Sequence, residues 1–137
     1  MGVEGLKYES NFGGVVRAAV CYGANLLVIQ PKYQHNRLDT TKGYKHIPLI
    51  ETKDVQSCLP KSCVPIAIEN TQSDISLIDF VHPERAFYVF GSEDKGLSDI
   101  TLKWCKKVVH IPTQHCMNLA ATVNVVLYDR LSKENRK

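Results

Sequence analysis

Paired ligand spacings are missing from this 137-residue chain: its five cysteines (Cys21, Cys58, Cys63, Cys105 and Cys116) form no C-x-x-C pair, and its five histidines are scattered. Neither a disulfide framework nor a zinc cluster fits that distribution, so reduced thiols and no metal are expected. Long hydrophobic runs are also lacking, since no segment stays apolar for the roughly 18 residues that a membrane helix needs. The opening residues, Met1 to Lys7, show no basic-then-apolar leader pattern, which points to an intracellular, cytoplasmic protein without a membrane association. A charge excess of one sign is absent too. With 17 basic and 14 acidic residues the net charge is +3, which permits a polyanionic partner without requiring one. No repeat or low-complexity segment occurs, and the length suits one domain spanning residues 1–137 with no appended recognition module.

What is present is an alternation of short apolar runs with helical patterns. Residues 3–9 read as a first strand, and Gly13-Gly14 open a helix that runs to about Tyr22 and ends at Gly23. Leu26-Leu27-Val28-Ile29 is a buried-type strand stopped by Pro31, and residues 32–48 read as a polar, basic loop. Thr52 is placed to cap a small helix through Leu59, and Val64 to Ile68 forms another strand. Asp74 to Val81 reads as a short helix, Ala86 to Phe90 as a strand, Ser98 to Cys105 as a helix and Lys107 to Ile111 as a strand. From Asn118 to about Ser132 a strong helical period places Leu119, Val123, Leu127 and Leu131 on one face, with Ala121, Val125 and Tyr128 beside it. So wide an apolar surface belongs either to a central core helix or to one shared between a core and a dimer interface. Alternation of this kind predicts an α/β fold with a mostly parallel sheet covered by helices.

Three segments at predicted strand-to-helix junctions concentrate the chemistry. In Asn11-Phe12-Gly13-Gly14-Val15-Val16-Arg17, Asn11 can cap the helix, while Arg17 interrupts an apolar stretch where a guanidinium must reach water or an anion. A planar donor fork suits phosphate or a developing oxyanion. Phe90-Gly91-Ser92-Glu93-Asp94-Lys95-Gly96-Leu97 follows a strand, with Gly91 open to close approach, Gly96 suited to positive φ, and Glu93 free to cap or to pair. Ile111-Pro112 leads through Cys116-Met117 to Asn118-Leu119-Ala120 at the start of the long helix. Cys116 has no histidine–carboxylate pairing assignable from sequence, which argues against a nucleophile.

Taken together, Asn11-x-Gly13-x-x-x-Arg17, Phe90-Gly91-x-Glu93-x-x-Gly96-Leu97, and Ile111-Pro112 with Asn118-Leu119-Ala120 and Tyr128 resemble, in order, the three motifs of the SpoU (TrmH) branch of SPOUT RNA methyltransferases. The resemblance covers nearly the whole chain, and Asp39-Thr40-Thr41 through His46-Ile47-Pro48 and His82-Pro83-Glu84-Arg85-Ala86 look like a bacterial-type subgroup. It implies a fold with a deep C-terminal trefoil knot, a rare exception to unknotted chains. It further implies S-adenosylmethionine (AdoMet) as cofactor, no metal, a homodimer, and methylation of a ribose 2′-hydroxyl in tRNA or rRNA. By position, Ile68, Glu69, Phe90, Gly91, Ile111, Cys116, Met117 and Asn118 match the cofactor loops. Arg17, Asn11 and Asn118 match the catalytic positions, and Glu93 a residue supporting the dimer and active site. A guanidinium is a poor base, so the resemblance leaves the proton acceptor open. Cys116 replaces the usual serine. That departure favours one competing reading, a catalytically silent RNA-binding or assembly protein; base methylation is the other. The basic side chains proposed to meet RNA are Lys32, Arg37, Lys42, Lys45, Lys103, Lys106 and Lys107.

Overall fold

The computed structural model describes residues 1–7, 9–32, 45–70, 73 and 75–136. Arg37 and Lys42, the segment 39–41, and Asp74 lie outside the described residues. Among the described residues seven strands form: β1 (Gly2–Leu6), β2 (Leu27–Pro31), β3 (Leu49–Glu51), β4 (Val64–Ile68), β5 (Ile75–Ser76), β6 (Ala86–Phe90) and β7 (Lys107–His110). They make one sheet in the order β3-β2-β1-β6-β4-β7-β5, and every pairing is parallel. Helices α1 (Glu9–Cys21), α2 (Asp99–Trp104) and α3 (Leu119–Glu134) cover it. A parallel sheet covered by helices is the architecture that the alternating pattern predicts.

Side chains alternate across the sheet because successive Cβ atoms point to opposite faces. Leu27, Ile29, Ile66, Ile68, Tyr88 and Phe90 enter the main core together with Val15, Val16 and Ala19 of α1 and Leu119, Val123, Val126 and Leu127 of α3. The intervening Val28, Ala67, Phe87 and Val89 form a smaller cluster with Val55, Leu97 and Cys105, against which Leu102 and Trp104 of α2 pack. Burial in this cluster pushes the Cys105 thiol up to about 12. On the first face α1 and α3 meet closely. A Cβ added at Gly14 would lie 2.7 Å from the Ala120 Cβ, so only hydrogen fits there at this spacing.

The far half of α3 is bolted to the chain preceding β6. His82 is buried, with Nδ1 2.6 Å from the Tyr88 hydroxyl and Nε2 2.8 Å from Asp129 Oδ2. A proton on Nε2 donated to Asp129, with the Tyr88 hydroxyl donating to Nδ1, satisfies all three groups and leaves the phenolic oxygen to accept from Arg130 at 3.1 Å. Desolvation lowers the His82 pKa, opposed by its bond to Asp129. Arg130 also donates to the carbonyls of Pro83 and Glu84, at 2.8 and 2.9 Å, and Lys133 to those of Leu77 and Phe80. The His82-to-Ala86 segment is thus an anchor for α3.

Several expectations change. The first helix begins at Glu9, before the predicted start, so Asn11 lies inside its first turn and is not the cap. The predicted helix after Thr52 shrinks to a 3-10 turn at Gln56–Cys58, because Thr52 Oγ1 accepts the Asp54 amide and Asp54 Oδ1 accepts the Gln56 amide, each at 3.1 Å. The predicted helix from Asp74 to Val81 is replaced by β5 and a 3-10 turn at Leu77–Asp79. There Ser73 Oγ accepts the Ile75 amide and donates to the Val108 carbonyl, holding the segment against β7. β3 arises directly after the stretch read as loop, where the sequence pattern predicts no strand. Nor is α3 covered on every side: Val125, Tyr128 and Leu131 are 36%, 61% and 42% exposed in the single chain.

Candidate active site

The three motif segments leave the carboxyl ends of β1, β6 and β7, the end of a parallel sheet where ligand crevices form. A cavity of about 240 Å³ opens there, lined by Ile68, Glu69, Phe90, Gly91, Cys116 and Met117. A second, of about 400 Å³, is lined by Ile111 and its successors to Cys116, and shares Asn70 and Cys116 with the first. Of the residues predicted to hold a cofactor, only Asn118 lines neither cavity. Glu93 lines the first as well.

Close backbone approach shapes this crevice. A Cβ on Gly91 would sit 2.2 Å from the Gly96 carbonyl carbon, and Gly96 itself has φ +66° with Glu69 Oε2 where a side chain would begin. Ser92 and Gly96 exchange backbone hydrogen bonds of 3.3 and 3.1 Å, closing a tight loop. Glu69 Oε2 accepts the Leu97 amide at 2.9 Å and Oε1 the Asn70 amide at 2.8 Å, so this carboxylate orders two cavity-lining loops. Asn70, which sequence reasoning passed over, accepts the Ile111 amide at 3.4 Å and joins the second loop to the third. Its place directly after a strand, beside Glu69, was the available signal.

Side chains connect all three motifs. Asn118 Nδ2 donates to Asn11 Oδ1 at 2.9 Å, and Asn11 Nδ2 donates to Glu93 Oε1 at 2.5 Å. Asn118 Oδ1 accepts the Ala121 amide, so one amide side chain caps α3 and fixes Asn11. Asn11 is 5% exposed, and its polar atoms are satisfied by these partners. Glu93 Oε2, by contrast, is buried without a hydrogen-bond partner, an expensive arrangement at a site able to receive a donor.

Arg17 stands apart. It follows Asn11 by six residues, about 9 Å along α1, is exposed, and lines neither cavity. Among the basic residues predicted to face RNA, Lys32 lies at the carboxyl end of the sheet, whereas Lys106 and Lys107 lie where β7 enters, at the opposite end. Among the described residues no cluster of three or more His, Cys, Asp or Glu side chains is arranged to hold a metal ion. No helix among them is long and apolar enough to cross a membrane.

The sequence profile of the SpoU rRNA Methylase family matches residues 2–128, and the chain belongs to that family of RNA methyltransferases. Its fold is similar to that of the SpoU methyltransferase AviRb from Streptomyces viridochromogenes, solved in complex with the cofactor AdoMet, at TM-score 0.85 and 18% identity. That match covers 100% of this chain and 61% of AviRb, so the chain spans about three fifths of that relative. The A. aeolicus TrmH/SpoU tRNA modifying enzyme matches at TM-score 0.84 and 18% identity, over 98% of this chain and 74% of its own. A structure bearing on the 2-OH methylation of C/U34 on tRNA matches at TM-score 0.84 and 20% identity, over 99% and 95% of the two chains.

Proposed function

We propose that this chain is an AdoMet-dependent methyltransferase domain that modifies a ribose 2′-hydroxyl of tRNA or rRNA, acting as a homodimer with a C-terminal trefoil knot. The observation that carries the reading is the hydrogen-bonded series Glu93–Asn11–Asn118 bordering a cavity at the carboxyl end of the sheet. Family membership supplies RNA methylation. The structures described as AdoMet-bound and as bearing on 2-OH methylation support the cofactor and the ribose.

The residues present fit AdoMet. The two linked cavities fall together within the range of about 300–1,000 Å³ used by small-molecule sites, and Ile68, Phe90, Met117 and Leu119 offer apolar walls for a heterocycle. When bound, the cofactor supplies a methyl group already activated by its sulfonium. The chain's own groups have three tasks. Gly91, Gly96 and the loops tied by Glu69 shape the cradle; Asn11 and Asn118 hold fixed amides beside it; and Glu93 Oε2 is available to accept a hydrogen bond from an incoming hydroxyl or cation. Arg17 grips phosphate or stabilises the developing oxyanion, tasks suited to a permanent cation.

Because Arg17 lines neither cavity of its own chain, it serves the site of a second copy. The exposed Val125–Tyr128–Leu131 stripe of α3 supports such pairing. The interleaved strand order supports the knot, since β6 and β7 insert between strands formed by earlier segments. Incubation with labelled AdoMet and separate tRNA and rRNA pools, followed by nucleoside mass spectrometry, tests the reading. A 2′-O-methylnucleoside is expected. Label on a base would move the chain to base methylation, and no detectable AdoMet binding by well-folded protein would favour the silent role.

A further inference from the structure

A cavity larger than the one lined by Glu93 opens elsewhere in the described structure. It measures about 520 Å³ and lies on the α2 side of the sheet, between α2 and the carboxyl ends of β1, β2 and β3. We infer that it seats one unpaired nucleotide of the RNA substrate, next to the nucleotide that enters the methylation site. The inference rests on the proposed RNA reaction for the identity of its ligand, and on four observations for its place.

The first is aromatic. Trp104, the only tryptophan in the sequence, is half-buried; it packs on the smaller core cluster and lines the cavity. Indole in a pocket wall is a stacking platform for any base. The second is charge. Lys32, Lys53 and Lys95 line the same cavity, each a point cation of the kind that holds phosphate. Of the two carboxylates present, Glu4 gives both oxygens to the N-terminus of α2, accepting the Ser98 amide at 2.8 Å and the Thr101 hydroxyl, and Asp54 accepts the Gln56 amide. Glu4 is thus engaged internally, whereas Lys32, Lys53 and Lys95 are exposed, Lys32 near Asp94 and Asp54 exposed beside Lys53.

The third observation is shape and polarity. Gln56 adds an amide group able to meet a base edge, Gln30 donates its own to the Lys53 carbonyl at 2.9 Å and keeps its oxygen, and the volume falls in the range of small-molecule sites. The fourth is position. Ser92, Lys95 and Gly96 line this cavity and the 240 Å³ cavity alike, so the 92–96 loop is a wall common to both. A ligand here is one loop away from the Glu93–Asn11–Asn118 series without touching Asn11 or Asn118. That location suits a neighbouring nucleotide, not the reacting ribose. Single-stranded loops with splayed bases are the RNA elements that such a pocket accepts.

The lone tryptophan makes the test direct. The full chain, saturated with AdoMet, is titrated with bulk tRNA and with single-stranded oligoribonucleotides while indole fluorescence is followed. Saturable quenching by RNA is expected. The pair Lys32→Ala with Lys53→Ala raises the RNA Kd about tenfold, and Trp104→Leu does so to a similar extent, while AdoMet affinity by calorimetry is unchanged. Trp104→Phe, which keeps an aromatic platform, retains most of the RNA affinity and guards against a folding artefact. RNA binding with unquenched indole and an unaltered Kd in the lysine pair overturns the inference. Quenching by free mononucleotides that RNA does not displace overturns it in favour of a nucleotide site, and quenching by AdoMet alone in favour of cofactor at this place. Should RNA quench while the methyl group arrives on a base, the ribose reading fails and the cavity assignment stands. An RNA that does not bind at all removes both.

Discussion

The two faces of the sheet are built from the same strands yet finished differently. On one, α1 and the 16-residue α3 close over the main core with glycine-to-alanine contact at Gly14 and Ala120. On the other, the six-residue α2 and the 3-10 turn at Gln56–Cys58 cover a smaller cluster and leave the 520 Å³ cavity open. The well-covered face ends in an apolar stripe that suits a second copy of the chain. The thinly covered face ends in lysines and an indole that suit a polyanion with bases. In the proposed reading, burial and recognition are divided between opposite surfaces, and the candidate site sits at the sheet end they share.

The sharpest way to break this division is Arg17→Ala, on the well-covered side. Steady-state assays are expected to show a fall in kcat of about 10²–10³-fold, the scale for removing one donor to a developing oxyanion, with AdoMet binding retained. Mixing Arg17→Ala with Asn11→Ala protein restores part of the activity if the guanidinium crosses to the other subunit. No recovery would place Arg17 in its own site. Tyr128→Lys puts a charge into the exposed stripe of α3 and is expected to shift the protein from dimer to monomer by sedimentation, weakening association about tenfold or more. A variant that stays dimeric would move the interface elsewhere.

Smaller effects refine the packing side of the comparison. Gly14→Val drives a branched side chain into Ala120 and is expected to cost about 1–3 kcal/mol in urea unfolding. The same chemistry at Gly23, where nothing lies within 4 Å, meets only the strain of its positive φ. The clamp at His82 gives a pH signature. Its folded pKa lies below the ordinary 6.5, so the unfolded chain binds the proton more readily. Its contribution is complete above pH 6.5 and is lost as pH falls through the window below that value. The slope is at most about 1.4 kcal/mol per pH unit, and denaturation midpoints of His82→Gln should lack it. The mildest effect is chemical: exposed Cys116 lines both linked cavities, so AdoMet should slow its modification by a thiol reagent severalfold while leaving exposed Cys21 unaffected.

Legibility from sequence followed the length of the signal. β4 and β6 are five-residue apolar runs bounded by proline or polar residues, and α3 repeats its apolar period over four turns; these elements appear where the pattern predicts. β3 and β5 have three and two residues, too few for any period, and exist because a neighbouring strand offers backbone partners. Asp74 to Val81 carries helical spacing, yet Ser73 and Ser76 offer side-chain oxygens to the local amides and win over propensity. At the site, motif order singles out Asn11, Glu93 and Asn118, but their mutual bonding depends on a helix that starts earlier than its glycines suggest. The Trp104–Lys53 cavity was illegible, because its walls come from four separated segments and no local spacing marks it.

The Glu93–Asn11–Asn118 series also has a consequence in time. Its two bonds join residues separated by 82 and 107 positions, so the first cannot form before Glu93 is made and the second not before Asn118, close to the end of the chain. Contacts of such long range are entropically late events in folding. A nascent chain that has already produced β1 and α1 therefore owns Asn11 and Arg17 without a working crevice, and competence arrives only when α3 docks.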